Sequence, residues 1–163
     1  SIDLLYYSKL LKIPQKQLKL SDSGYRKFVS DEFELFMDCG NIGPDYQPGH
    51  AHSDTFNFEL IKKGIPVFVD TGISTYEKDS IRKFERSTES HNTVVINNED
   101  QSKVWGGFRV ANRAKIIELI EQDNFIMASH NGYKKKNILH TRKFSYERNV
   151  VIIEDLISKG NLA

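Results

Sequence analysis

The sequence predicts an all-β protein, an antiparallel β-sandwich, on three observations. Apolar and polar residues alternate with a period of two over several short runs. Turn-forming residues separate those runs, and no stretch carries the strand–helix–strand rhythm of a parallel sheet. A length of 163 residues suits one domain with a proper core.

Residues 1–20 stand apart from that pattern. Leu4, Leu5, Leu10 and Leu11 recur at roughly helical spacing until Pro14 stops them, so this segment reads as a linker or the tail of a preceding helical domain. Residues 21–163 form the predicted sandwich region. Phe33, Leu35, Met37 and Cys39 alternate with Glu34, Phe36 and Asp38, as a half-buried strand requires. Phe56, Phe58 and Leu60 alternate with Asn57 and Glu59, and Lys63-Gly64 supplies a turn before Pro66-Val67-Phe68-Val69. Further strands are expected at Thr93 to Ile96, Ala114 to Ile120, Phe125 to Ser129, Arg142 to Tyr146 and Val150 to Ile153. Two stretches, Gly40 to Gly49 and Gly72 to Ser90, read as loops, both longer than the roughly 2–5 residues of a plain hairpin connection. Long loops of this kind invite a functional explanation.

Composition narrows the function. Hydrophobic residues make up 39% and charged residues 28%, an ordinary soluble balance, and the formal net charge of +1 provides no overall field to recruit nucleic acid or membrane. No apolar run approaches the roughly 20 residues that cross a bilayer. The one cysteine, Cys39, excludes an internal disulfide framework. The chain opens on Ser1 and stops soon after the β-like Val150 to Ile153, which reads as a piece of a longer protein, truncated at its C-terminus, with any targeting signal elsewhere.

The residues with the most chemistry lie at predicted strand ends. His50-Ala51-His52 follows the glycine- and proline-rich loop, and residues two apart in an extended segment share a face. Asp70 closes the Pro66 strand, and His91 opens the expected strand at Thr93. Two histidines and one carboxylate, with a fourth position for water or substrate, are a plausible zinc set. The bland reading of each is a surface histidine or a turn-forming aspartate. H-x-H also suggests a cupin-like metalloprotein, but the glutamate that would follow is misplaced: Glu59 lies too far from His52 and Asp54 too close.

A longer series of words sharpens this. Gly49-His50-Ala51-His52-Ser53-Asp54-Thr55, Val69-Asp70-Thr71-Gly72, Arg86-Ser87-Thr88 and His91-Asn92-Thr93 occur in order. They continue through Asp100-Gln101-Ser102, Trp105-Gly106-Gly107-Phe108-Arg109, His130-Asn131-Gly132-Tyr133, His140 and Arg142. The series resembles the C-terminal region of heparinase II/III-like polysaccharide lyases, from roughly Gly24 to Asp155.

That resemblance implies the sandwich part of a larger lyase, whose N-terminal α/α-toroid is absent from this chain. It implies zinc, structural in role, at His52, Asp70 and His91, and a catalytic position in the substrate cleft for His50. It further implies a β-elimination on a uronic-acid-containing glycan, such as a glycosaminoglycan, in which the proton at C5 is removed and the 4-linked oxygen expelled. The main tyrosine and the group that neutralises the uronate belong to the toroid in such proteins, so this chain alone is expected to be inactive. Tyr76, in the loop after Gly72, is a candidate cleft residue, with a surface tyrosine as the equal alternative, and Arg82, Arg86 and Arg109 are candidates for an acidic sugar because guanidinium pairs bidentately with carboxylate or sulfate. Trp105 is a candidate for stacking on a sugar ring. For each arginine the bland reading is a buried or edge salt bridge, and for Trp105 a sheet cover. The run Lys134-Lys135-Lys136 is most simply a solvated loop tip. The partners so implied are an acidic polysaccharide and the missing toroid, with no nucleic acid and no membrane span; the setting is exported, periplasmic and bacterial. A non-catalytic domain that binds or stabilises glycan is the alternative.

Overall fold

The computed structural model describes residues 9–12 and 23–159. Most of the segment expected to be a linker or helical tail therefore lies outside the described residues. The regular structure of the remainder is almost entirely antiparallel strand.

Strands β1 (Tyr25–Val29), β2 (Phe33–Asp38), β3 (Phe58–Lys62) and β4 (Ile65–Phe68) form one four-stranded sheet in that order. A hairpin follows, β5 (Lys103–Trp105) with β6 (Arg109–Ala111). Strands β7 (Ile116–Glu121), β8 (Phe125–His130), β9 (Ile138–Glu147) and β10 (Val150–Lys159) make a second four-stranded sheet in the order β10-β9-β8-β7. Two hairpin turns, Lys63-Gly64 and Arg148-Asn149, have positive φ at both central residues, the backbone that matches the twist of the flanking strands.

The predicted alternation explains how the sheets meet. Phe33, Leu35 and Met37 of β2 are buried, joined by Phe28, Cys39, Phe56 and Phe58 from the first sheet and its approaches. Ile126, Ala128 and Phe144 oppose them from the second. Register then sets what continues that inward face: Ile126 pairs with Phe144, Ala128 with Arg142, and His130 with His140. One end of the core is thus apolar and the other is polar.

Two expectations need correction. Thr93 to Ile96 forms no strand, and His91 does not open one. The Thr93 hydroxyl donates to the carbonyl of Thr55, the Tyr133 hydroxyl donates to the carbonyl of Val94, and Asn97 and Asn98 both turn left-handed, leaving one isolated bridge between Ile96 and Glu99. The stretch Gly72 to Ser90 is not all loop: it holds α1 (Ser80–Glu85), whose Arg82 amide is capped by the Asp79 side chain at 2.7 Å. Six residues are too few for helical periodicity to register in a sequence. Among the described residues, no helix is long and apolar enough to cross a membrane.

Candidate metal centre and cleft

The loops between the sheets are cross-stitched by side chains from the recurring words. The Asn92 side-chain amide donates to the carbonyls of Phe58 and Val69 at 2.9 and 3.0 Å, while its own backbone amide donates to the Asn57 side chain. Ser53 and Thr88 join hydroxyls at 2.8 Å in the buried interior, and the amides of Ser102 and Gln101 donate to those two hydroxyls. Segments far apart in sequence are thereby held in one frame, which a metal site needs.

Within this frame His52, Asp54 and His91 offer one donor atom each, all within 4.8 Å of one another. Zinc bonds to such ligands are about 2 Å long, so small rotations bring this spread into coordination. Ser53, between His52 and Asp54, is fully buried. Asp70, which the sequence placed in the ligand set, meets His91 directly: its Oδ2 accepts from Nδ1 at 2.6 Å. The Gly72 amide and the Asn57 side chain also donate to Asp70. With Nδ1 so engaged, His91 presents a buried Nε2 that has no hydrogen-bond partner among the described residues. A histidine held through one nitrogen by a carboxylate, its other nitrogen unused, is the usual posture of a metal ligand.

Electrostatics agree with the geometry. Burial, then the neighbouring His91, Arg82 and Arg86, pulls the His52 pKa down to about 4, so its imidazole is neutral and able to ligate at neutral pH. Burial pushes the Asp54 carboxyl up, opposed by His91. Burial works the same way on Asp70, but the hydrogen bond and charge of His91 outweigh it and leave that carboxyl below the ordinary range.

His50 faces elsewhere. It sits at the end of a single 3-10 turn, Pro48–His50, with its ring edge-on to Tyr76 at 5.8 Å and to Phe108 at 5.3 Å. Tyr76 and Phe108 stack nearly parallel at 5.9 Å with the Arg82 guanidinium beside both rings. His50 and His52 nevertheless line one open cleft of about 890 Å³, whose wall also carries Asp38, Asp45, Asp54 and Asp70. Burial, followed by the nearby Asp54, raises the Asp38 carboxyl to about 7.

The family profile described as heparinase II/III-like, C-terminal, matches residues 13–161. The chain belongs to the heparinase II/III-like family. Solved structures agree on the fold. A heparan sulfate lyase HepC from Pedobacter heparinus is 18% identical with a TM-score of 0.63, covering 94% of this chain and 26% of its own. A mutant of that enzyme gives 19% identity and 0.59, over 88% and 24%. The heparinase III BT4657 gene product gives 20% and 0.59, over 94% and 26%. The chain thus spans about a quarter of the length of these structures. No curated protein matches it.

For this heparinase-like chain the arrangement sorts the remaining candidates. Arg82 and Arg86 are each 1% exposed and spend their donors inside: Arg82 on the carbonyl of Gly107, Arg86 on those of Ala51, Gly106, Gly107 and Arg109. Arg82 also lies 3.4 Å from His52 Nε2. Trp105 and Arg109 are exposed cross-strand neighbours beside Phe108, in a shallow depression of about 310 Å³ apart from the main cleft. Sequence reasoning set Asp54 aside as a misplaced cupin-type ligand and gave Phe108 no role of its own. The two-residue spacing of Asp54 from His52 was its signal, although the same spacing misplaced His50, which the 3-10 turn Pro48–His50 takes out of the group; Phe108 meets His50 only through folding of the hairpin.

Proposed function

We propose that this chain is the sandwich region of a polysaccharide lyase that cleaves uronic-acid-containing glycans by β-elimination. The observation that carries the reading is His50, which lines an open cleft one residue removed from a cluster of metal-binding type and packs edge-on against Tyr76, a residue outside the cleft lining. The reaction removes the proton at C5, forms the C4–C5 double bond and expels the 4-linked oxygen. His50 works on the C5 proton and Tyr76 flanks it, since imidazole and phenol suit proton transfer to and from sugar carbons and oxygens. Arg109 and Trp105 extend the contact surface for an acidic chain, while Arg82 and Arg86 support the cleft from behind.

The donor chemistry of His52 and His91, with Asp70 against His91 and Asp54 closing the group, fits zinc. Bound zinc supplies positive charge that offsets the carboxylates of the cleft wall, which would otherwise repel a uronate. Its role is to pin the loop that presents His50. The chain by itself is inactive in this reading and acts with the remainder of a longer, exported protein in a bacterial periplasm.

The test uses the full-length protein with heparan sulfate and, in parallel, alginate, following the ultraviolet absorbance of the new C4–C5 double bond. The reading predicts product from one uronate polymer and a loss of at least about a hundredfold for His50→Ala, the scale of general acid–base catalysis. A full-length protein inert on every uronate polymer, with His50→Ala leaving glycan binding unchanged, would favour a non-catalytic binding domain instead.

A further inference from the structure

His130, His140 and Arg142 belong to the recurring words yet have no place in the cleft. They form the polar end of the core. His130 and His140 are fully buried, and Arg142 is 5% exposed. The Gly132 amide donates to His130 Nδ1 at 3.0 Å, which leaves the His130 proton on Nε2. That proton goes to His140 Nδ1 at 2.9 Å, so His140 carries its own on Nε2 and donates it to Asp155 Oδ1 at 2.6 Å. Asp155 also accepts both sides of the Arg142 fork, Nε at 2.7 Å and Nη2 at 2.8 Å. Every member of the chain has one orientation, and the guanidinium at its end is locked.

The third nitrogen of that fork links the chain to the cleft. Arg142 Nη1 donates to the carbonyl of Phe56 at 2.8 Å and to that of Asn92 at 2.6 Å. Asn92 is the residue after His91, and Phe56 closes the turn that leaves His52 and Asp54. Phe56 is also a buried aromatic residue at φ +69°, a conformation that a side chain of this size adopts only under constraint. Its ring lies against His130 and His140, with centroids 4.8 and 5.3 Å away. One guanidinium nitrogen therefore fixes the distance between the two loops that carry the histidines, and the histidine pair holds the strained residue between them.

We propose that Arg142, clamped by Asp155 and the His140–His130 chain, is the positioning residue that sets the separation of His52 and His91 and with it the affinity and geometry of the metal site. The proposal rests on the zinc reading above.

The experiment measures zinc affinity of the full-length protein by competition with a chromophoric chelator, together with the visible spectrum of the cobalt-substituted protein. Arg142→Lys keeps the charge but cannot hold Asp155 and both carbonyls at once. It should weaken zinc binding by about tenfold or more, the scale of losses behind a metal's direct ligands, and alter the cobalt spectrum. Asp155→Asn, which leaves Arg142 in place with a loosened clamp, should change both in the same direction and by less. Ile126→Ala, in the same apolar cluster as Phe56 but outside the hydrogen-bonded chain, is the control for general destabilisation and should leave both readouts as in the wild type. Should Arg142→Lys fail to fold, Asp155→Asn and the control carry the test. Wild-type affinity and spectrum in the Arg142 or Asp155 variants overturn the proposal, as does an equal loss in Ile126→Ala. A wild-type protein that binds no zinc overturns the zinc reading and this proposal with it, which separates the two failures.

Discussion

Replacing Arg86 by lysine separates two roles that a sequence cannot distinguish, a contact to an acidic sugar and a strut of the frame. The Arg86 guanidinium makes five hydrogen bonds to four carbonyls at 2.9–3.3 Å, joining Ala51 of the His50–His52 loop to Gly106, Gly107 and Arg109 of the β5–β6 hairpin. An ammonium group is a point donor and reaches one side of that span. About two hydrogen bonds to a charged group are lost, at roughly 1.5–3 kcal/mol each, and water admitted to the gap recovers part of this. The expected net cost is about 3 kcal/mol, a fall in melting temperature of about 6–12 °C for a domain of this size. Thermal unfolding followed by near-ultraviolet circular dichroism measures it, alongside glycan affinity at a temperature where the variant is fully folded. The account predicts a large stability loss with affinity per folded molecule little changed. An unchanged melting temperature with weakened glycan binding would show that the guanidinium reaches substrate, and would refute the reasoning.

Two further outcomes follow from the same packing. Burial raises the Asp155 carboxyl, but the hydrogen bonds from His140 and Arg142 and the Arg142 charge outweigh it, holding the group well below the ordinary carboxylate range. A depressed carboxylate contributes stability that is present above its unfolded value of about 3.9 and is lost as pH falls towards its folded one. Denaturant titrations between pH 6 and 3 should therefore show wild-type stability falling below about pH 4 more steeply than that of Asp155→Asn; parallel profiles would contradict the clamp. At the β9–β10 turn, Arg148 and Asn149 sit at φ 46° and 68°. Changing the pair to Asn-Gly suits that turn and should raise stability by about 1 kcal/mol, read as a melting temperature about 2–4 °C higher. A fall would mean that the turn is not the one described.

The fold was legible because half-buried strands write their burial into alternate positions, as Phe33, Leu35 and Met37 do against Glu34 and Phe36. The misread Thr93 to Ile96 has the β-branched residues of a strand, but the hydroxyl of Thr93 and the carbonyl of Val94 are claimed by Thr55 and Tyr133, 38 and 39 residues away. No local pattern announces such bonds. The same limit explains the arginines. Arg82 and Arg86 were open between a sugar contact and a buried or edge salt bridge; the structure buries both, and the partners are carbonyls from distant loops, which no local pattern announces. His50 and Tyr76 were each visible as candidates, whereas their ring contact depends on α1 and the hairpin folding against the turn at Pro48–His50. The pairing of Asp54 with His52 lay within reach of a two-residue spacing, although that spacing failed for His50, which the 3-10 turn Pro48–His50 takes out of the group. The posture of Asp70 against His91 did not, because a backbone pattern gives the face of a side chain and not its partner.

Zinc content tests the central claim, that His52 and His91 hold a metal that pins the loop presenting His50. Elemental analysis of dialysed protein should find about one zinc per chain in the wild type and in His50→Ala, and almost none in His52→Ala/His91→Ala. Equal zinc in all three proteins, or none in the wild type, would contradict it.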